Sequence, residues 1–364
     1  MKKIEYENLH NLNAGYFKEL TSAAARVIES GWYVLGDEVR HFEEKFASIS
    51  SSKFCVGVSN GMDALELAFE ALDLPIGSEV ITGSHSYIAT ILAIINNKLT
   101  PILAPTCSKT FNINVHEIEA LITPNTSAIC VTHMYGMPCE MEKVLQLAEL
   151  YGLKIIEDCA QSHGSKYQGK HVGNFSDIGC FSFYPTKNIG ALGDAGAIVT
   201  ASEDFAIQIS KLRNYGSKIK YHNECIGYNR RLDEIQASFL TVKLNHFHEY
   251  IDRKSYISEK YRSELCSSIH IQKQFSEMSP VQHIFSIVVD QRDVFREYLQ
   301  RNGIGTEVHY PVPVWEQECM KEYKLSDCNI AKMLSCQQVS IPSSIWLKEK
   351  ELDYIIRVIN EYFE

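Results

Sequence analysis

Apolar runs and helical stripes alternate along most of this chain. Residues 16–30 set Phe17, Leu20, Ala24, Val27 and Ile28 on one face of a helix. From residue 54 a repeat sets in. FCVGVSN (54–60) predicts a strand and MDALELAFEAL (62–72) a helix. EVITG and YIATILAIINN repeat the pair, PILAPT adds a strand, and SAICVTHMYG with MEKVLQLAELYG forms another strand and helix. LKIIEDCA (153–160) is a further strand. These strand runs do not alternate with polar residues, so both faces are covered. With helices between them, they predict an α/β fold with a mainly parallel sheet.

The rhythm changes after residue 177. DIGCFSFYPT and AGAIVTA predict two strands joined by a Gly-rich segment, followed by a helix in EDFAIQISKLRNYG. A long helical stretch runs from Leu232 toward Leu265. HIFSIVV, VFREYLQRNG and GTEVHY then predict a strand–helix–strand unit, and the chain closes on an amphipathic helix, KEKELDYIIRVINEYFE. The expected division is a large domain, 1–248, and a smaller C-terminal α/β domain, 249–364, split inside the long helix.

The 364 residues are ample for two cores. With 35 Lys+Arg against 45 Asp+Glu the net charge is −10, which argues against a general nucleic-acid binder. It leaves room for a phosphorylated small molecule, which needs only local donors. The N-terminal stretch has no apolar segment of signal-peptide type. The longest apolar run, Tyr87 to Ile95, is about half of the roughly 20 residues a membrane span needs. Eleven cysteines lack any C-x-x-C pair and read as reduced thiols of a cytoplasmic protein, with neither disulfides nor a metal cluster.

Four segments could carry chemistry. Gly164 to Lys170 matches G-x-x-x-x-G-K, but His171 stands where a phosphate loop needs Ser or Thr, so the segment predicts a hairpin turn. Ser59-Asn60-Gly61-Met62-Asp63 links a strand to a helix start. That is either a plain Asn/Gly turn or an anion site built on unpaired N–H groups. Asp158 ends the strand run LKIIED at the sheet edge where ligands of open α/β folds bind, though an Asp there also serves as a cap. Lys187 follows an apolar strand and precedes Gly190, Gly193 and Gly196. A pocket lysine is a nucleophilic amine, whereas a solvated one is not. Together, a helix-start anion site, a carboxylate and a lysine are the parts a pyridoxal phosphate site needs for phosphate, ring nitrogen and aldehyde.

VSNGMDAL, EDCAQSHG, SFYPTKNIGALGDAG, IGYNRRLDEIQA and VHYPVPV occur in the order found in one family. The chain resembles the DegT/DnrJ/EryC1/StrS sugar aminotransferases, of the aspartate-aminotransferase-like pyridoxal-phosphate fold type I, over nearly its whole length. The resemblance implies that Lys187 condenses with the cofactor aldehyde, Asp158 pairs with the ring nitrogen and Gln161 bonds the ring hydroxyl. Gly61, Met62 and Ser182 would hold the phosphate, and Tyr87 would stack on the ring. Asn229 would reach the phosphate of a neighbouring subunit's cofactor, which implies a homodimer with shared sites. Tyr184, Lys218, Arg230, His309 and Tyr310 would face the substrate. Lys218, Lys220, Arg230 and Arg231 form a basic cluster that either neutralises a sugar-nucleotide diphosphate or is a solvated loop. Met62, Arg230 and Trp315 depart from the residues common in the family, namely Thr, Ser and His.

Lysine at 187 separates transamination from the dehydratases of the family, which carry His there. The expected reaction moves an amino group from L-glutamate to a nucleotide-linked keto sugar. SGWYVLG (30–36) and NYGSKIKYHN (214–223) look like the branch acting on dTDP-3-keto-6-deoxyhexoses, giving dTDP-3-amino-3,6-dideoxyhexose. The alternatives are C4 amination of a dTDP- or UDP-4-keto sugar, a dehydratase, or a non-catalytic binding protein.

Overall fold

The computed structural model describes residues 3–323 and 325–364. Helices α1 (Leu9–Asn13), α2 (Phe17–Ser30) and α3 (Asp37–Ser50) precede the first strand. The repeating region follows as β1 (Phe54–Val58), α4 (Gly61–Leu72), β2 (Glu79–Gly83), α5 (Ile88–Asn96), β3 (Thr100–Ala104), β4 (Thr126–Thr132), α6 (Met141–Tyr151) and β5 (Lys154–Asp158). A small hairpin, β6 (Lys166–Tyr167) and β7 (Lys170–His171), leads to β8 (Ile178–Ser182), β9 (Gly196–Thr200) and α7 (Glu203–Leu212). An exposed hairpin, β10 (Ser217–Ile219) and β11 (His222–Asn223), precedes α8 (Glu234–Asn245) and α9 (Phe247–Glu264). The remainder is β12 (His270–Ile271), β13 (Met278–Ser279), β14 (Phe285–Val288), α10 (Arg292–Arg301), α11 (Asn329–Gln337), β15 (Gln338–Ile341) and α12 (Glu349–Phe363).

The main sheet has seven strands in the order β1-β9-β8-β5-β4-β2-β3. Its β8-β5-β4-β2-β3 part is parallel, whereas β9 runs antiparallel to both β8 and β1. The apolar strands are buried on both faces, as their unbroken patterning requires. One face packs Val56, Ile156 and Ile198 against Leu65, Phe69 and Ile209 of α4 and α7. The other packs Phe181, Phe183 and Val199 against Phe42, Phe46 and Leu240 of α3 and α8. Each fully buried Phe there contributes about 1.5–3 kcal/mol.

A second sheet, β12-β14-β15, has its own apolar cluster with α9, α10 and α12, including Ile257, Phe285, Phe295, Leu299 and Ile355. The N-terminal segment joins it. Ile4 bridges Ile304 and is buried in that cluster.

Two expectations need correction. The stretch from Leu232 to Leu265 is two helices, broken at His246, not one. GTEVHY forms no strand; only Glu307 bridges Ser340. The chain leaves the sheet there because Pro311 and Pro313 cannot donate to a ladder. The P-loop-like segment is a hairpin turn, as its sequence requires.

Candidate active site

The cleft lies at the C-terminal ends of β2, β4, β5 and β8, where the βα turns converge. Asp158 is the last residue of β5 and is buried. Its Oδ2 accepts from Thr90 Oγ1 at 2.7 Å, and its Oδ1 from the Ala160 N–H at 3.1 Å. These bonds fix the carboxylate plane. Lys187 sits in the tight turn after β8, where its N–H donates to Tyr184 O at 2.8 Å. Gly190 closes that turn, since a Cβ there would lie 2.2 Å from Pro185 O. The buried Lys243 ammonium donates to Gly190 O. Burial lowers the Lys187 pKa to about 8, and the Asp158 charge pulls it back up. The amine is therefore partly free base near neutral pH.

Gly61 opens α4, and Asn60 caps it by accepting from the Asp63 N–H at 2.8 Å. The N–H groups of Gly61 and Met62 have no partner within the helix. Ser182, ending β8, faces this helix start so closely that a Cβ on Gly61 would come within 2.5 Å of the serine Cβ. N–H groups and a hydroxyl thus meet at a positive helix end.

Gln161 Oε1 accepts from the Tyr135 N–H at 2.7 Å, and Gln161 Nε2 donates to the Tyr310 hydroxyl at 3.1 Å. The Tyr310 ring lies 5.1 Å from that of Tyr87, which is half exposed at the cleft mouth. His309 Nδ1 lies 2.8 Å from Ser340 Oγ. Burial, with the Lys187 charge, lowers the His309 pKa to about 4. Asp158, Gln161, Lys187, His309, Tyr310 and Tyr87 are thereby brought together. Gly61, Met62 and Ser182 lie together at the start of α4.

Residues 16–360 match the DegT/DnrJ/EryC1/StrS aminotransferase family. The chain belongs to that family. It is 42% identical over 360 residues to the dTDP-3-amino-3,6-dideoxy-alpha-D-galactopyranose transaminase of Aneurinibacillus thermoaerophilus, covering 99% of each. It is 38% identical to the dTDP-3-amino-3,4,6-trideoxy-alpha-D-glucose transaminase of Streptomyces venezuelae, covering 100% of this chain and 95% of that protein. Its fold superposes on the crystal structure of S. venezuelae DesV in complex with a ketimine intermediate, with a TM-score of 0.97, 36% identity and coverage of 100% and 99%. Bacillus subtilis NtdA with bound cofactor PMP superposes with a TM-score of 0.92 at 25% identity, covering 99% of this chain and 85% of that one.

The other predicted residues of this aminotransferase are exposed or held in ion pairs. Asn229 is exposed, its backbone bridging Asn214. Lys218 and Lys220 stand exposed on the β10–β11 hairpin, and Tyr184 is exposed beside the Lys187 turn. Arg230 is not free within a basic cluster. It pairs with Asp63 at 3.1 Å and with Glu66, and its guanidinium lies 4.2 Å from the Tyr228 ring. It offsets two carboxylates in the first turns of α4. Sequence reasoning missed Thr90, His85, Tyr135 and Glu157. Thr90 was detectable, three residues after Tyr87 on the first turn of α5; the others are joined only by the tertiary fold.

Proposed function

We propose that the chain is a pyridoxal 5′-phosphate-dependent aminotransferase that moves an amino group from L-glutamate to dTDP-3-keto-6-deoxyhexose, releasing dTDP-3-amino-3,6-dideoxyhexose. The observation that carries this reading is Lys187 set beside Asp158 in a chain whose 42%-identical relative is a dTDP-3-amino-sugar transaminase. The site fits the cofactor on its own terms. It has a cradle at Gly61 that admits no Cβ, a helix-start N–H pair, a rigid carboxylate and a lysine of lowered pKa. When bound, the cofactor supplies a carbonyl for the amine and a ring that absorbs electron density.

The protein's part is positional and acid–base. Gly61 and Met62 N–H groups and the Ser182 hydroxyl hold the phosphate. Asp158 keeps the ring nitrogen protonated, and Gln161 meets the ring hydroxyl. Tyr87 covers the ring face. Lys187 removes the donor's Cα proton and returns one to the sugar carbon. Tyr184, Lys218, His309 and Tyr310 face the sugar nucleotide, with Arg230 balancing acidic charge beside the phosphate. Asn229 reaches the site of a second copy in a homodimer. The exposed Trp32, Tyr33 and Val34, at 64%, 56% and 41% exposure, support such an interface. We divide the chain into a cofactor unit, 1–248, and a C-terminal unit, 249–364, at the start of α9. We place the enzyme in the cytoplasm; no described helix is long and apolar enough to cross a membrane.

The test is spectroscopic and chemical. Protein loaded with the cofactor should show a yellow absorbance band that L-glutamate bleaches and dTDP-3-keto-6-deoxyhexose restores. Product mass and NMR should show nitrogen gained at C3. Bleaching that no keto sugar reverses would defeat the sugar assignment. Loss of a hydroxyl instead would mark a dehydratase, and nitrogen at C4 would move the regiochemistry.

A further inference from the structure

Tyr135 joins the two halves of the cleft. It lies in the turn after β4, fully buried, with φ +61°, a left-handed conformation that a bulky residue adopts only under constraint. Every polar group it has is engaged. Its N–H donates to Gln161 Oε1 at 2.7 Å, and its carbonyl accepts from the His283 N–H at 2.7 Å. Its hydroxyl meets His85 Nε2 at 3.0 Å, Gln338 Oε1 at 3.0 Å and the His309 carbonyl. Gly136 next to it also has positive φ, and a Cβ there would lie 2.1 Å from Val281 O, so the turn is clamped on residues 281–283.

Hydrogen inventory assigns the roles. A tyrosine hydroxyl has one proton and two acceptor sites. The His309 carbonyl can only accept, so the proton goes there. Burial holds His85 neutral, with its pKa lowered to about 4, so its single N–H, placed on Nε2, donates to the tyrosine oxygen. Gln338 Nε2 is buried without a partner. Turning that amide over gives its Nε2 a partner and places an N–H on the same oxygen. His85 and Tyr135 belong to the main-sheet turns, Gln338 to β15, and His309 to the segment that leaves the second sheet. One hydroxyl therefore ties these parts together.

We propose that Tyr135 is a positioning residue for the sugar half-reaction. Its N–H orients Gln161, leaving the Gln161 amide to hold Tyr310, while its hydroxyl holds His309. The His309-Tyr310 wall is thus set at a fixed distance from the cofactor face. The proposal rests on the aminotransferase reading, in which that wall meets the sugar. It assigns Tyr135 no contact with either substrate.

The experiment separates the half-reactions of loaded enzyme. Tyr135→Phe keeps the backbone bonds and loses only the hydroxyl. We expect glutamate-driven bleaching within about twofold of wild type and the KM for the keto sugar raised about tenfold, the effect of one ordinary hydrogen bond. His85→Leu should raise that KM similarly, while His85→Gln, which retains a donor near the Nε2 position, should restore most of it. This pair also covers the case in which Tyr135→Phe does not fold. An unchanged KM, an equal fall in both half-reactions, or identical behaviour of His85→Leu and His85→Gln would overturn the proposal. Absent glutamate bleaching in the wild type would instead overturn the aminotransferase reading.

Discussion

At Lys187 a buried amine and a nearby carboxylate oppose each other. Burial favours the neutral amine, Asp158 favours the ammonium, and burial wins, leaving a pKa of about 8. Lys187→Ala should lower kcat by roughly 10²–10⁴-fold, the usual worth of a placed general base, while retaining the fold; kinetics and circular dichroism check both. Gly61 is the other sensitive position. Gly61→Ala drives a methyl within 2.5 Å of the Ser182 Cβ, so the helix start must shift. We expect cofactor affinity to fall at least about tenfold, as loss of one good hydrogen bond would require, measured by absorbance titration. Both positions were legible in the sequence because lysine after an apolar strand and glycine at a helix start are local signals. Arg230 was not. Its partners, Asp63 and Glu66, are remote in sequence, and nothing local distinguishes a paired arginine from a solvated one.

Among the elements, the end of β5 does most to build the site. Asp158 turns into the cleft, and Glu157, next in line, points the other way as strand alternation demands. Glu157 is fully buried and fully bonded. It accepts from His133 Nε2 at 3.1 Å, from the Gly173, Phe175 and Ser176 N–H groups, and from Ser176 Oγ. Burial alone would raise its pKa, but His133 and these donors bring it below the usual carboxylate range. Cys159 lies close to this pair, yet the lone pairs of His133 and Glu157 are already committed to protein donors. Glu157→Gln turns an NH₂ toward N–H donors and breaks a buried pair. We expect a loss of about 3 kcal/mol in unfolding free energy, measured by urea denaturation. The strand was readable from its apolar run. The direction of its two carboxylates was not, because that depends on which face each helix covers.

Over the whole molecule, burial collects neutral histidines around the cleft. Burial lowers His85 to about 4 and His163 to about 3, the latter with help from the Lys187 charge. His163 packs among Phe46, Phe181 and Phe183, and neither ring nitrogen has a hydrogen-bond partner. An unfolded histidine binds its proton near pH 6.5, so between about 6.5 and 4 the unfolded chain holds more protons than the folded one. The histidines' contribution to stability is therefore full above about pH 6.5 and is lost as pH falls through that window. Urea midpoints of cofactor-free protein at pH 7.5 and 5 should show the drop, and His163→Leu should shrink it. An unaltered slope in that variant would remove His163 from the account.

The sequence by itself determined the alternating α/β order, the burial of both sheet faces, the helix start at Gly61, the strand-end place of Asp158 and that of Lys187 after a strand. Each of these is written in local periodicity or in a residue type placed at an element boundary. Only the tertiary structure decided that β9 runs against its neighbours, that Arg230 is held by acids of α4, that residues 305–310 leave the sheet, and that Tyr135 bonds across the cleft. Those outcomes depend on which distant groups meet when helices and sheets pack, and hydrogen-bond partners far apart along a chain leave no spacing signal in it.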